Sequence, residues 1–225
     1  MFDGHLRSSV DKAVKPLGDG LRRTRMTPDH LTIAGMVIAI GAAVAIGAGY
    51  LALGLLLVIL AALPDLLDGA LAKASNTSSQ RGAFFDSVVD RVTDALLFGG
   101  VAWYFTSEHS ARIALLPVAV SAVSQVISYE RAKAEALGLS AKGGLMERAE
   151  RIILLCLGLL FPTLLLPIMW LMLVLTSITA IQRFVKVWRQ AAVAPVTAAK
   201  IELRRSRRQS RRSARLDRRT RTTRR

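Results

Sequence analysis

Three long stretches without a charged side chain organise the chain: residues 31–64, residues 113–130 (broken only at the last position) and residues 152–182. A soluble domain alternates apolar and polar positions along its elements. Here the runs are continuous, and a bilayer core of roughly 30 Å needs about 20 apolar residues of helix. The pattern therefore predicts an all-α polytopic membrane protein with six transmembrane helices, at about 31–49, 51–73, 84–105, 112–137, 146–161 and 168–188. Thr27 and Pro28 suit the start of the first. Gly47 to Tyr50 turn the chain into the second, residues 75–80 read as a polar loop, and Pro162 and Pro167 bracket a short hairpin before the sixth.

Ahead of the first span, residues 2–25 set Val10, Val14, Leu17 and Leu21 among charged positions at helical spacing. This predicts an amphipathic helix lying on the membrane surface rather than the apolar core of a cleaved signal peptide. Composition agrees with a membrane chain, at 52% hydrophobic and 21% charged residues. Cys156 is the one cysteine, which excludes an internal disulfide, and its apolar run reads as simple packing.

Charge is unevenly placed. Residues 200–225 hold thirteen Lys/Arg against Glu202 and Asp217, a local +11 that leaves +4 for the rest of a chain totalling +15. Such a run cannot bury a core. Tethered to a membrane, it is expected to be a disordered tail resting on anionic lipid, at about 1 kcal/mol per basic residue near the surface, and no nucleic-acid partner is expected. The chain divides accordingly into a juxtamembrane helix (1–26), a membrane domain (27–190) and a basic tail (191–225). Basic segments alternate with basic-poor turns, which puts both termini on the cytoplasmic side of the cell membrane.

The second and third spans break the apolar rule at one end. Asp65 and Asp68 are spaced i, i+3 and Asp86 and Asp90 i, i+4, with Asp94 a further turn along. Each pair shares a helix face, with Cβ atoms about 5–6 Å apart. An unpaired aspartate in a span costs about 2.5–3.5 kcal/mol on insertion scales, so the cluster needs compensation. Lys73, Arg81 and Arg91 are too few to neutralise it. Hard oxygen ligands without histidine or thiolate nearby select Mg²⁺, with Mn²⁺ as the alternative. Two facing carboxylate pairs suit two ions about 3.5–4 Å apart that clamp a phosphate or pyrophosphate. A cation transporter using the same acids is the competing class, but helices four to six contain no acid that would continue a path across the membrane.

The string Asp65-x-x-Asp68-Gly69-x-x-Ala72-Lys73-x(8)-Gly82-x-x-x-Asp86-x-x-x-Asp90 resembles the signature of the CDP-alcohol phosphotransferases. Lys73 departs from the arginine usual there and loses the planar fork that grips phosphate bidentately. The resemblance implies six transmembrane helices, a homodimer, and metal-dependent attack of an alcohol on a CDP-linked lipid with release of CMP. It also implies that Asp65 and Asp86 bridge two Mg²⁺ ions, that Asp68 holds the first and Asp90 the second, and that Asp90 is the general base. Asp29, Thr32, Gly69, Lys73 and Ser79 would contact CDP-diacylglycerol.

Two basic clusters flank the loop between helices four and five: Arg131 with Lys133, and Arg148 with Arg151. They suggest an anion pocket, hence a phosphorylated acceptor, but charge alone does not separate inositol phosphate from glycerol phosphate. Tyr129-x-Arg131-Ala132-Lys133-Ala134-Glu135 and Gly143-Gly144-x-x-Glu147-Arg148-x-Glu150-Arg151 are similar to the phosphatidylinositol phosphate synthase branch, and Arg183 resembles a further basic residue of its pocket. The branch implies inositol 3-phosphate as acceptor. Phosphatidylglycerophosphate synthesis is the alternative.

Overall fold

In a computed structural model of the chain, residues 28–75, 80–108 and 110–192 are described, the side chains of 28 and 64–75 excepted. The surface helix expected at 2–25 and the basic tail lie outside the described residues. Within them there are six helices and no strand: α1 (Pro28–Gly47), α2 (Leu51–Ser75), α3 (Gln80–Glu108), α4 (Leu115–Ala136), α5 (Arg148–Leu160) and α6 (Pro162–Ala191). The all-α class is as expected.

Several boundaries move, each for a local reason. Ser75 and Gln80 are helical rather than loop, which leaves only 76–79 between α2 and α3. Residues 111–114 form a tight turn closed by i to i+3 bonds such as Leu115 N–H to Arg112 C=O (3.2 Å), so α4 begins at Leu115 rather than Arg112. The hairpin expected at Pro162 and Pro167 does not form. Pro162 occupies the first position of α6, where no intrahelical donor is needed. Pro167 lies inside that helix, where its missing N–H deprives the Thr163 carbonyl of a helical donor near the start.

α1 packs against α2 and α3, α4 against α3 and α6, and α5 against α6 and α2. The buried cluster runs through the bundle, from Ile46 and Val58 past Phe98, Val101 and Phe105 to Leu155, Leu165, Met169 and Met172. α1 and α3 approach closely at Gly100, where a Cβ would stand 2.5 Å from the carbonyl oxygen of Ala43. The outer faces are as apolar as the core: Val37, Val44, Leu56, Trp170 and Val174 are each more than half exposed. Isolated exposed apolar residues are ordinary, but contiguous faces of them mark a lipid or protein contact. α1 from Asp29 and the whole of α6 are long and apolar enough to cross a membrane, and 51–63 is a shorter apolar stretch.

Candidate active site

The i, i+4 aspartates of α3 face a cavity of about 590 Å³ at one end of the bundle. Asp86, Asp90 and Asp94 line one side. Ser128 and Arg131 of α4, the start of α5 with Glu147, Arg148 and Arg151, and Arg183 of α6 line the other. The loop between α4 and α5 is what brings these walls together. α4 is closed off two residues past Ala136, at Gly138, whose φ of 71° is the left-handed conformation glycine tolerates. Leu139 N–H then reaches back to Ala134 C=O (2.8 Å) and Gly138 N–H to Glu135 C=O (3.0 Å), a Schellman closure.

α6 straps the rest of the loop down. The buried Arg183 guanidinium donates to Gly143 C=O (3.1 Å), Ile127 C=O (3.2 Å) and the Glu147 carboxylate (2.9 Å). Thr179 Oγ1 accepts from Met146 N–H (3.0 Å), and Gln190 exchanges two bonds with the Ser140 backbone. Glu150 accepts from Glu147 N–H (3.0 Å) and caps the first turn of α5. Arg148 and Arg151 therefore leave a fixed helix start and point at α3.

There they meet the carboxylates. Arg148 Nη1 lies 2.9 Å from Asp90 Oδ1, and its Nε lies 3.4 Å from Asp94 Oδ1. Arg151 Nη2 lies 2.5 Å from Asp94 Oδ2, both side chains being almost fully buried. Arg91 approaches Asp90 at 3.7 Å and donates to Ser87 C=O (2.6 Å), while Gln125 of α4 donates to Arg91 C=O (3.0 Å). Buried ion pairs of this kind matter most when broken, at about 3–5 kcal/mol, because a charge is then left without its partner.

Of the residues predicted from sequence, Asp86, Asp90, Arg131, Arg148, Arg151 and Arg183 share this one cavity. Lys133 does not: it is exposed on α4 and outside the lining. Asp29 pairs with Arg81 at the start of α3 (3.5 Å), and Thr32 is buried one turn along α1. Asp65, Asp68, Gly69 and Lys73 belong to the last turns of α2, their side chains outside the described residues, and Ser79 lies outside them altogether. Two residues given no role in the sequence reading prove central, Asp94 and Glu147. The first was signalled by its place on the i, i+4 stripe.

The donor chemistry fits a hard divalent cation. Asp86 and Asp90 present carboxylate oxygens to the cavity, and neither histidine nor cysteine is in its lining. Among the described residues no three acidic, histidine or cysteine side chains stand close enough together to hold a metal ion.

A sequence profile of the CDP-alcohol phosphatidyltransferases matches residues 25–194. The chain belongs to that family. The match includes every residue of the cavity and stops short of the basic run at 200–225. The chain is 36% identical over 192 residues to the phosphatidylinositol phosphate synthase of Mycobacterium marinum, covering 81% of this chain and 82% of that protein. It is 39% identical over 157 residues to the same enzyme of Mycobacteroides abscessus, covering 69% and 71%. The Mycobacterium tuberculosis phosphatidylinositol phosphate synthase with CDP-diacylglycerol bound matches with a TM-score of 0.72 at 34% identity, over 79% of this chain and 94% of that one. A crystal structure of the tuberculosis enzyme with manganese and citrate matches with a TM-score of 0.73, over 78% and 88%. Manganese is a hard divalent cation of the type the carboxylate set suits. Membership of a transferase family sets the cation-transport alternative aside.

Proposed function

We propose that the protein is a phosphatidylinositol phosphate synthase, which transfers the phosphatidyl group of CDP-diacylglycerol to 1D-myo-inositol 3-phosphate and releases CMP. The observation that carries the reading is the cavity that sets the α3 carboxylates against guanidinium groups from α4, α5 and α6. It offers an acidic wall for a cation-bound pyrophosphate and a basic wall for a phosphorylated acceptor, within one volume. The relatives' names agree with that pairing of substrates.

An inositol hydroxyl attacks the phosphatidyl phosphorus, the pyrophosphate P–O bond breaks, and CMP departs with the bridging oxygen. The Asp90 carboxylate takes the hydroxyl proton. Two Mg²⁺ ions, or Mn²⁺, held by Asp65, Asp68, Asp86 and Asp90, supply charge withdrawal from the pyrophosphate when bound. Asp29, Thr32, Gly69, Lys73 and Ser79 hold the cytidine diphosphate portion. On the acceptor side the arginines divide by accessibility. Arg131 is half exposed and, among the described residues, pairs with Glu135 on its own helix (3.1 Å), an exposed i, i+4 pair of about 0.3–0.5 kcal/mol that an anion displaces readily. Arg148, partly exposed, joins it. Arg151 and Arg183 are buried and already paired, so they fix the wall and its positive potential. Lys133, outside the lining, has no contact with the acceptor in this reading.

All six helices are taken to span the cell membrane, with termini and cavity on the cytoplasmic side. The division into a surface helix (1–26), a membrane domain (27–190) and a lipid-binding tail (191–225) stands as part of this reading, as does a homodimer. α5 is the short member: thirteen residues give about 20 Å at 1.5 Å per residue. A helix that short does not cover a bilayer core of roughly 30 Å by itself, and in this reading its recessed end is the cytoplasmic one, where Arg148 and Arg151 line the cavity.

CMP release from CDP-diacylglycerol with each acceptor tests the reading. Turnover with inositol 3-phosphate is expected. Turnover with glycerol 3-phosphate alone would make the protein a phosphatidylglycerophosphate synthase.

A further inference from the structure

Asp94 stands outside the four-carboxylate set, yet it is 5% exposed midway along α3. A buried acid at that depth persists only with partners. It has two, and both are residues of the basic wall: Arg151 at 2.5 Å and Arg148 at 3.4 Å. Arg148 is shared between Asp94 and Asp90, with its Nη1 on Asp90 at 2.9 Å.

That sharing is what gives Asp94 a role. Asp90 is the carboxylate assigned to the acceptor hydroxyl, so its hold on the Arg148 guanidinium weakens whenever Asp90 is engaged. Asp94 supplies a second anchor one helical turn away on the same face. The side chain of Arg151 is almost fully buried and is held by the same carboxylate. We propose that Asp94 is a positioning residue for the acceptor: it fixes Arg148, directly and alongside Arg151, so that the phosphate of the incoming acceptor meets a preset donor. This rests on the function proposed above. Preset geometry shows as acceptor affinity, because a guanidinium that must be ordered on binding binds more weakly.

The test is steady-state CMP release by the full chain in mixed micelles with Mg²⁺, varying each substrate in turn. Wild-type turnover with a phosphorylated acceptor is measured first, and its absence overturns the proposed function and this inference together. Given that turnover, Asp94→Asn is expected to raise the acceptor KM at least tenfold and to leave the CDP-diacylglycerol KM within twofold. A fall in kcat with both KM values unchanged marks a merely structural counter-ion and overturns the proposal. If Asp94→Asn fails to accumulate in the membrane, Asp94→Glu keeps the charge but displaces the carboxylate by one methylene. A threefold or larger rise in acceptor KM alone supports the proposal, and an unchanged value overturns it.

Discussion

Asp86 and Asp90 project from adjacent turns of α3 into the same cavity. Asp90 is in contact with Arg148 and Arg91, and Asp86 stands one turn nearer the start of α3 on the same wall. Asp86→Asn keeps size and hydrogen-bonding capacity while removing the charge a cation needs. It should lower kcat on the order of 10³-fold, the scale on which lost electrostatic stabilisation of a transition state is felt. CMP release at saturating substrate reads this directly, and chelation with EDTA should mimic it in the wild type until Mg²⁺ is restored. Activity that survives chelation would remove the metal from the mechanism. On the opposite wall, Arg131→Ala removes a charged donor of about 1.5–3 kcal/mol. The acceptor KM should rise roughly tenfold or more with the CDP-diacylglycerol KM unchanged; an unaltered acceptor KM would take Arg131 out of the pocket. These residues were legible because aspartates and arginines at helical spacing are conspicuous in apolar helices. Their pairing was not. The partners of Asp94 lie 54 and 57 residues away, and Glu147 and Arg183 are 36 apart, distances over which local periodicity carries no information.

At the scale of elements, the apolar runs indicate all six described helices, and the largest displaced boundary is the one at Pro162 and Pro167, where proline reads as a breaker in the sequence. Pro162 opens α6 because the first turn of a helix spends no donor there, and Pro167 follows so closely that one carbonyl is affected. The glycine pair of α3 separates packing from propensity in a way the sequence does not display. A methyl at Gly100 would strike the backbone of Ala43 at 2.5–3.0 Å, while at Gly99 it would meet nothing within 4 Å. Gly100→Ala should therefore push α1 away from α3 at about 1–3 kcal/mol, as overpacking does. Gly99→Ala should be neutral or stabilising by up to about 1 kcal/mol, from helix propensity. Thermal unfolding in detergent micelles distinguishes them, and equal shifts for the two variants would mean that the α1–α3 contact is not tight in solution.

For the whole molecule, the question is how a bundle with one short helix sits in the bilayer. α1 and α6 satisfy the length requirement by themselves, and α3 carries its aspartates at the end nearer Gln80. If that end faces the cytoplasm, the α3–α4 turn at Ser110 faces the other side and the α4–α5 loop at Lys142 returns to the cytoplasmic side with the cavity. Both positions are exposed. Lys142 joins the α6 strap only through its backbone carbonyl, which accepts from Lys186, so replacing its side chain leaves the strap intact. In a Cys156→Ser background, Ser110→Cys should react with a membrane-impermeant maleimide on intact cells, and Lys142→Cys only in inverted vesicles. Labelling of both from one side would mean that α4 does not cross. Exchange of the two patterns would turn the molecule over and place the basic wall outside, away from a cytoplasmic sugar phosphate, a result the positive-inside distribution of arginine and lysine argues against.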